Sequence, residues 1–482
     1  MIQSHAAWID GREVADAACE AFEVRDPSTG GVLVGMQVAA PDLVASAVES
    51  ATTAFAGAWG AVEPLERSRL LLRIADAIRS QAGLLAQFEA IDAGIPLAIA
   101  RSDAQVAARY FEFYAGLADK FGGETIPLDS AHLDYTLHQP WGVCAVVAPF
   151  NFPLQQISRS LAPALAMGNA VVLKASERSP LCAPLLARIC GEAGLPPGAF
   201  NIVHGAAATG EALLAHEGIA HVTFTGSRAV GSAVMALCAR RVVPLTLELG
   251  GKSAQIVLGE AQLEAAATAI AGVMFRTAGQ ACSAGSRVLV REDLHERLAD
   301  LLVERAEALR VGRASEEGVE VGPLISPEQR DRVLAHVDAA TGSGGAELRT
   351  GGAPGAGALP AGGNFVLPTI LDRVDPQAAI SRSEVFGPVL AITPVRDAAH
   401  ALALANDSEF GLAAGVWTSD VGEALSLARD LEVGQVFVNN YGSGGGVELP
   451  FGGRKGSGFG REKGIEALAG YTQLKNVCVR LA

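Results

Sequence analysis

The sequence predicts an α/β protein made of two domains with parallel sheets, and three observations carry that prediction. Short apolar runs alternate with amphipathic stretches of helical period, the alternation restarts past residue 250, and 482 residues exceed one ordinary domain. An apolar run without internal polar alternation suits a strand covered on both faces, and helices on either side of a parallel sheet provide that cover.

Leu71, Ile74, Ala75 and Ile78 share one face at helical spacing, which predicts an early helix. From Thr125 to Gln139 the period changes to two. Leu133, Tyr135 and Leu137 alternate with Asp134, Thr136 and His138, the pattern of a half-exposed strand or hairpin. Buried strands follow at Ala170 to Leu173, Phe200 to Val203 and His221 to Phe224, with helical segments from about Leu181, Glu211 and Ala229. A second series opens with Ser253 to Leu258 and continues through Ser286 to Val290. The Gly/Ala/Pro-rich residues 341–363 read as a long surface loop.

Composition narrows the function classes. With 50% apolar and 18% charged residues the chain is globular, and a net charge of −15 opposes nucleic acid as a partner, because phosphate binding needs a basic footprint. The N-terminus lacks a basic segment leading into an apolar core, and no apolar run reaches about 18 residues. The expectation is a cytoplasmic protein with no membrane partner. Seven scattered cysteines fit reduced thiols, six of them packing residues, and no Cys/His cluster has zinc-ligand spacing, so no metal is expected.

The seventh cysteine has chemical company. Cys282, in Gly279-Gln280-Ala281-Cys282-Ser283, follows Glu248 by 34 residues, and Glu248 opens Glu248-Leu249-Gly250-Gly251-Lys252. A thiol and a carboxylate, each set among glycines that admit a ligand close to the backbone, suit a nucleophile and a general base. Two more runs, Pro149-Phe150-Asn151-Phe152-Pro153 and Glu384-Val385-Phe386-Gly387-Pro388, complete the constellation. Together with Phe113 to Pro127, Lys174 to Glu177, Phe224 to Ser227 and Pro450 to Glu462, these motifs resemble the aldehyde dehydrogenase superfamily, in its order and at about its spacing.

The resemblance implies a Rossmann-type dinucleotide-binding domain over residues 1–122 and 140–248, and an α/β catalytic domain over 249–465. It adds a β oligomerisation arm over 123–139 and 466–482, with a C-terminal strand from Tyr471 to Leu481, hence a homodimer or homotetramer. No G-x-G-x-x-G follows an early strand. Instead the turn Gly226-Ser227, after Phe224 and before Gly231, would present helix N–H groups to a pyrophosphate. By resemblance Lys174 and Glu177 hold the adenosine ribose, Gly205 and Gly210 support from the same edge, and Phe150, Ser176, Leu249 and Gly250 are further cofactor-binding residues. Glu384 and Phe386 meet the nicotinamide end. A carboxylate at Glu177 disfavours the extra phosphate of NADP, so NAD is the expected cofactor, with NADP the alternative and Arg178 able to soften the repulsion.

The implied chemistry makes Cys282 the nucleophile, Asn151 the oxyanion donor with the Cys282 N–H, and Glu248 the base for hydrolysis of a thioester. A carboxylate at Glu248 favours water over coenzyme A as acyl acceptor. The substrate is expected to contact Phe152, Gln156, Arg159, Ala281, Ser283 and Gly445. The run through Arg159-Ser160 is similar to the benzaldehyde, vanillin and salicylaldehyde dehydrogenase branch, which implies an aromatic aldehyde. Arg159 could instead pair with the carboxylate of a semialdehyde, and aliphatic aldehydes complete the alternatives. A cofactor-independent cysteine hydrolase would want a histidine near the thiol, where His295 and His336 are nearest in sequence. A binding protein on the same fold would have lost the nucleophile, base or oxyanion donor.

Overall fold

The structure, a computed structural model, describes residues 7–15, 20–342, 344–442 and 446–481. Its first sheet has eight strands, with five parallel ones at the centre in the order Phe200–Val203, Ala170–Lys174, Val143–Val147, His221–Thr225 and Leu245–Glu248. In chain order that is 3-2-1-4-5, a doubly wound sheet whose direction of growth reverses between Val143–Val147 and His221–Thr225. The predicted apolar runs occupy these strands, and nearly every residue in them is buried.

A second sheet of seven strands runs in the order Glu347–Gly352, Leu367–Asp372, Val389–Val395, Arg287–Arg291, Ala254–Val257, Ala413–Trp417 and Gln435–Val438. Only Glu347–Gly352 is antiparallel to its neighbour. That strand corrects the expected loop over 341–363. Two register shifts and the left-handed Gly351 and Gly352 break its alternation, so the sequence carries no strand period to detect.

A third sheet pairs Thr472–Arg480 with His132–Pro140 and Thr125–Ile126, all antiparallel, and exposes Leu133, Leu137 and Leu474. The early helix spans Pro64–Ser80 with Pro64 in its first turn, and Leu71, Ile74, Ala75 and Ile78 all turn into the core. The helix expected from about Glu211 is Ala207–Ala215, its start obscured by Gly210 in the second turn. Cys144, Cys182, Cys190 and Cys238 pack in the interior as expected. Cys478 is exposed, a correction, because it lies on a strand whose side chains face outward. Cys19 lies outside the described residues. Among the described residues no helix is long and apolar enough to cross a membrane.

Candidate active site

The reversal point of the first sheet opens a crevice where ligands of such sheets gather, because two loops part there in opposite directions. One loop carries Ala148-Pro149-Phe150-Asn151, the other Gly226-Ser227, and between them lies a cavity of about 760 Å³. Phe150, Asn151, Gln156, Lys174, Ser176, Glu177, Gly210, Phe224, Gly226, Ser227, Glu248, Leu249, Gly250, Cys282, Glu384 and Phe386 all line it. Residues from both large sheets thus meet at one wall, and Phe150 meets Phe386 edge-on with ring centroids 5.7 Å apart.

Around the thiol the backbone is held against its preferences. Thr277 and Ala278 are left-handed at φ 50° and 53°, and with Gly279 at 69° they coil the chain sharply just before Cys282. Gln280 anchors that coil. Its amide donates to the Thr277 carbonyl (3.2 Å), its Oε1 accepts from the Ile325 N–H (2.9 Å), and its carbonyl accepts from Asn151 Nδ2 (2.8 Å). The last bond fixes the Asn151 side chain beside the nucleophile loop and leaves its second N–H for a ligand oxygen. On the other flank the Tyr441 hydroxyl donates to the Ser283 carbonyl at 2.9 Å. Gly251 is required here, since a Cβ would stand 2.7 Å from the Cys282 carbonyl oxygen.

Half-buried Cys282 has its thiol pushed up to about 11 by burial, with the Arg159 guanidinium opposing that rise and Glu384 and Glu248 adding to it. Glu248 is 2% exposed, and neither carboxylate oxygen has a partner among the described residues. Burial, reinforced by Glu462, holds its carboxyl well above the usual range. A carboxyl raised in this way is a stronger base once ionised.

Arg159 does not line the cavity. It is 5% exposed, forms an ion pair with the buried Glu462, donates to Thr225 Oγ1 at 3.2 Å, and lies over the Phe451 ring at 5.3 Å. Ser160 Oγ donates to the other Glu462 oxygen at 2.8 Å, so Arg159 and Ser160 hold one carboxylate together. Lys463 Nζ lies 5.2 Å from the same ring.

The opposite end of the cavity suits a dinucleotide. Lys174 Nζ donates to Glu177 Oε2 at 3.1 Å, and although burial pushes the Glu177 carboxyl up, Lys174, the Glu177 backbone N–H and Arg178 together outweigh it and hold the carboxyl below its usual range. Ser227 caps helix Arg228–Ala239 by accepting from the Val230 N–H, and Ser227 and Val230 line the cavity. A Cβ on Gly226 would sit 2.6 Å from the Phe224 ring, and one on Gly250 only 2.1 Å from Glu384 Oε2. Glu384 accepts from the Gly251 N–H at 3.1 Å, and burial raises its carboxyl to about 7. Two polar ends joined by an apolar trough match an elongated ligand with polar groups at both ends.

Several expected contacts lie elsewhere. Gly231 packs against Leu249, Gly205 makes room for Thr209, and Phe152, Ala281 and Ser283 flank the lining residues. Gly445 lies outside the described residues. Sequence reasoning missed Val230, Ala233, Val234 and Leu237, which form one cavity wall and whose helical spacing was the available signal. It also missed Arg332, Gln280 and Tyr441, for which no local pattern exists. His295 is engaged with Asp372 at 2.6 Å, and no histidine among the described residues lines the cavity.

The aldehyde dehydrogenase family profile matches residues 14–477. Betaine aldehyde dehydrogenase of Cereibacter sphaeroides is 41% identical, over 98% of this chain and 96% of its own. The structure of gamma-glutamyl-gamma-aminobutyraldehyde dehydrogenase from Burkholderia cenocepacia J2315 superposes with a TM-score of 0.97 at 40% identity, covering 100% of this chain and 98% of that one. The NAD+ complex of aldehyde dehydrogenase from Bacillus cereus gives 0.96 at 37% identity, covering 100% and 97%. A profile match over nearly the whole length and relatives above 30% identity place this chain in the aldehyde dehydrogenase family.

Proposed function

We propose that the protein oxidises an aromatic aldehyde to its carboxylic acid with NAD, using Cys282, Asn151 and Glu248. The observation that carries this reading is the convergence of the thiol, an anchored amide N–H and a buried carboxylate on one cavity whose far end suits a dinucleotide.

The Cys282 thiolate adds to the aldehyde carbon, and the free N–H of Asn151 with the Cys282 backbone N–H stabilises the oxyanion that forms. Because Asn151 is fixed to Gln280, that donor is in place before charge develops. Glu384 and Phe386 would hold the nicotinamide end of NAD, which would supply the hydride acceptor, and loss of hydride from the Cys282 adduct leaves a thioester on Cys282. Glu248 then removes a proton from water as the water attacks the thioester carbonyl, and Cys282 leaves as thiolate. The acid departs, and the thiolate is restored. Arg159, although outside the cavity, favours the thiolate by its charge.

Support for the aromatic class is the likeness of the run Pro149 to Leu154, followed by Arg159-Ser160, to the benzaldehyde, vanillin and salicylaldehyde branch, not a contact of Arg159 or Ser160 with the cavity, and the relatives named for betaine and aminobutyraldehyde favour a second reading, an aminoaldehyde or betaine aldehyde. Lys174 and Glu177 support NAD over NADP. The exposed Leu133, Leu137 and Leu474 of the third sheet support a homodimer or homotetramer through the arm formed by 123–139 and 466–482. Sheet membership supports the dinucleotide domain over 1–122 and 140–248 and the catalytic domain over 249–465, although Gly458–Phe459 closes the first sheet from within the latter. A cytoplasmic setting completes the proposal. The test is a steady-state comparison of benzaldehydes, aliphatic aldehydes, succinate semialdehyde and betaine aldehyde with NAD and with NADP. The highest kcat/KM for a benzaldehyde with NAD is expected, and a clear preference for betaine aldehyde would reverse the substrate assignment.

A further inference from the structure

Gln156 stands one helical turn beyond Asn151 on helix Pro153–Ala166, in the same cavity wall as Cys282 and Glu248. It is 7% exposed, and its side-chain carbonyl oxygen has no partner among the described residues. Its neighbours on the helix are committed to protein partners. Gln155 Nε2 donates to Asp103 Oδ1 at 2.6 Å, Arg159 pairs with Glu462, and Ser160 binds the same carboxylate. A buried acceptor without a partner is costly, and a ligand that donates to it recovers that cost. A site of this kind rejects analogues lacking the donor, because they leave the same group unpaired.

The donor's charge follows from the groups nearby. Arg159 and Lys463 place two cationic groups 5.3 and 5.2 Å from the Phe451 ring, and both act on Cys282. Glu462 pairs with Arg159, so that guanidinium is already matched by a carboxylate. A charged donor brought into this buried wall loses its hydration and needs a counter-charge that an amide carbonyl does not supply, whereas a neutral hydroxyl needs only the hydrogen bond. We propose that Gln156 selects aldehydes carrying a neutral hydroxyl group, which donates its hydrogen bond to Gln156 Oε1. This inference rests on the aldehyde dehydrogenase reading above and narrows its substrate class.

The experiment compares kcat/KM with NAD for benzaldehyde, 3- and 4-hydroxybenzaldehyde and their methoxy counterparts. It adds pentanal against 5-hydroxypentanal, and 4-aminobutanal, for the unaltered protein and for Gln156→Met. A hydroxylated member should exceed its unsubstituted and methoxy counterparts by about 10- to 100-fold, the range expected for one buried hydrogen bond. Gln156→Met, close in volume but without the amide, should bring that ratio within about threefold. NAD affinity measured by calorimetry should stay unchanged, since it reads the far end of the cavity in the folded protein. Turnover of benzaldehyde or pentanal without a hydroxyl preference would overturn this inference alone. A preference for methoxy compounds or 4-aminobutanal, or a hydroxyl preference that survives in Gln156→Met, would overturn it as well. Failure to form NADH with every aldehyde would overturn the dehydrogenase reading itself.

Discussion

Replacing Arg159 by Met should damage stability far more than substrate affinity. Arg159 and Glu462 are 5% and 1% exposed, so the substitution leaves a buried carboxylate that has lost its guanidinium and keeps the Ser160 hydroxyl. Removing one member of such a pair costs about 3–5 kcal/mol, whereas removing both and filling the space with apolar groups is often neutral. Arg159→Met should therefore lower the urea midpoint strongly. The double variant Arg159→Met/Glu462→Met should recover at least half of the loss, giving a coupling energy of about 2 kcal/mol or more. Fluorescence-monitored unfolding of the four members of the cycle measures this, with KM for the best aldehyde recorded alongside. If Arg159→Met unfolds like the parent and only KM changes, the guanidinium serves the substrate and the buried pair has been misjudged.

Two further outcomes follow from the same geometry. Asn151→Ala should slow hydride transfer by about 10²–10³, the usual cost of one oxyanion donor, and an unchanged single-turnover rate would make Asn151 merely structural. Cys282 and Glu248 both act after losing a proton, and burial raises both, the thiol to about 11, so the active fraction grows from neutral into alkaline pH. The rate of Cys282 alkylation by iodoacetamide and kcat/KM should both rise from neutral into alkaline pH. A flat alkylation profile over that range would show that the thiol is already ionised.

The fold was legible where burial is uniform. Ala170–Lys174 is an almost unbroken apolar run because helices cover both faces of its sheet, so composition alone reveals it. Glu347–Gly352 was not legible, because an edge strand interrupted by left-handed glycines has no period. At the site, Cys282, Glu248 and Asn151 sit in distinctive motifs, and they line one cavity. The sequence could not show that Arg159 turns away toward Glu462, some 300 residues distant in the chain, because the two meet only through packing of the helix against the Phe451–Glu462 bridge. The same limit hid Gln280, whose side chain ties the nucleophile loop to Ile325 and whose carbonyl ties it to Asn151.

The most direct measurement of the central claim is the pre-steady-state behaviour of Glu248→Gln. Thiol addition and oxidation need Cys282, Asn151 and NAD, whereas hydrolysis needs the carboxylate that this substitution removes. Mixing the variant with NAD and its best aldehyde should give a burst of about one NADH per active site and then slow turnover, with intact-mass analysis showing the acyl group on Cys282. Sustained turnover at the parent rate, with no adduct on Cys282, would contradict the account.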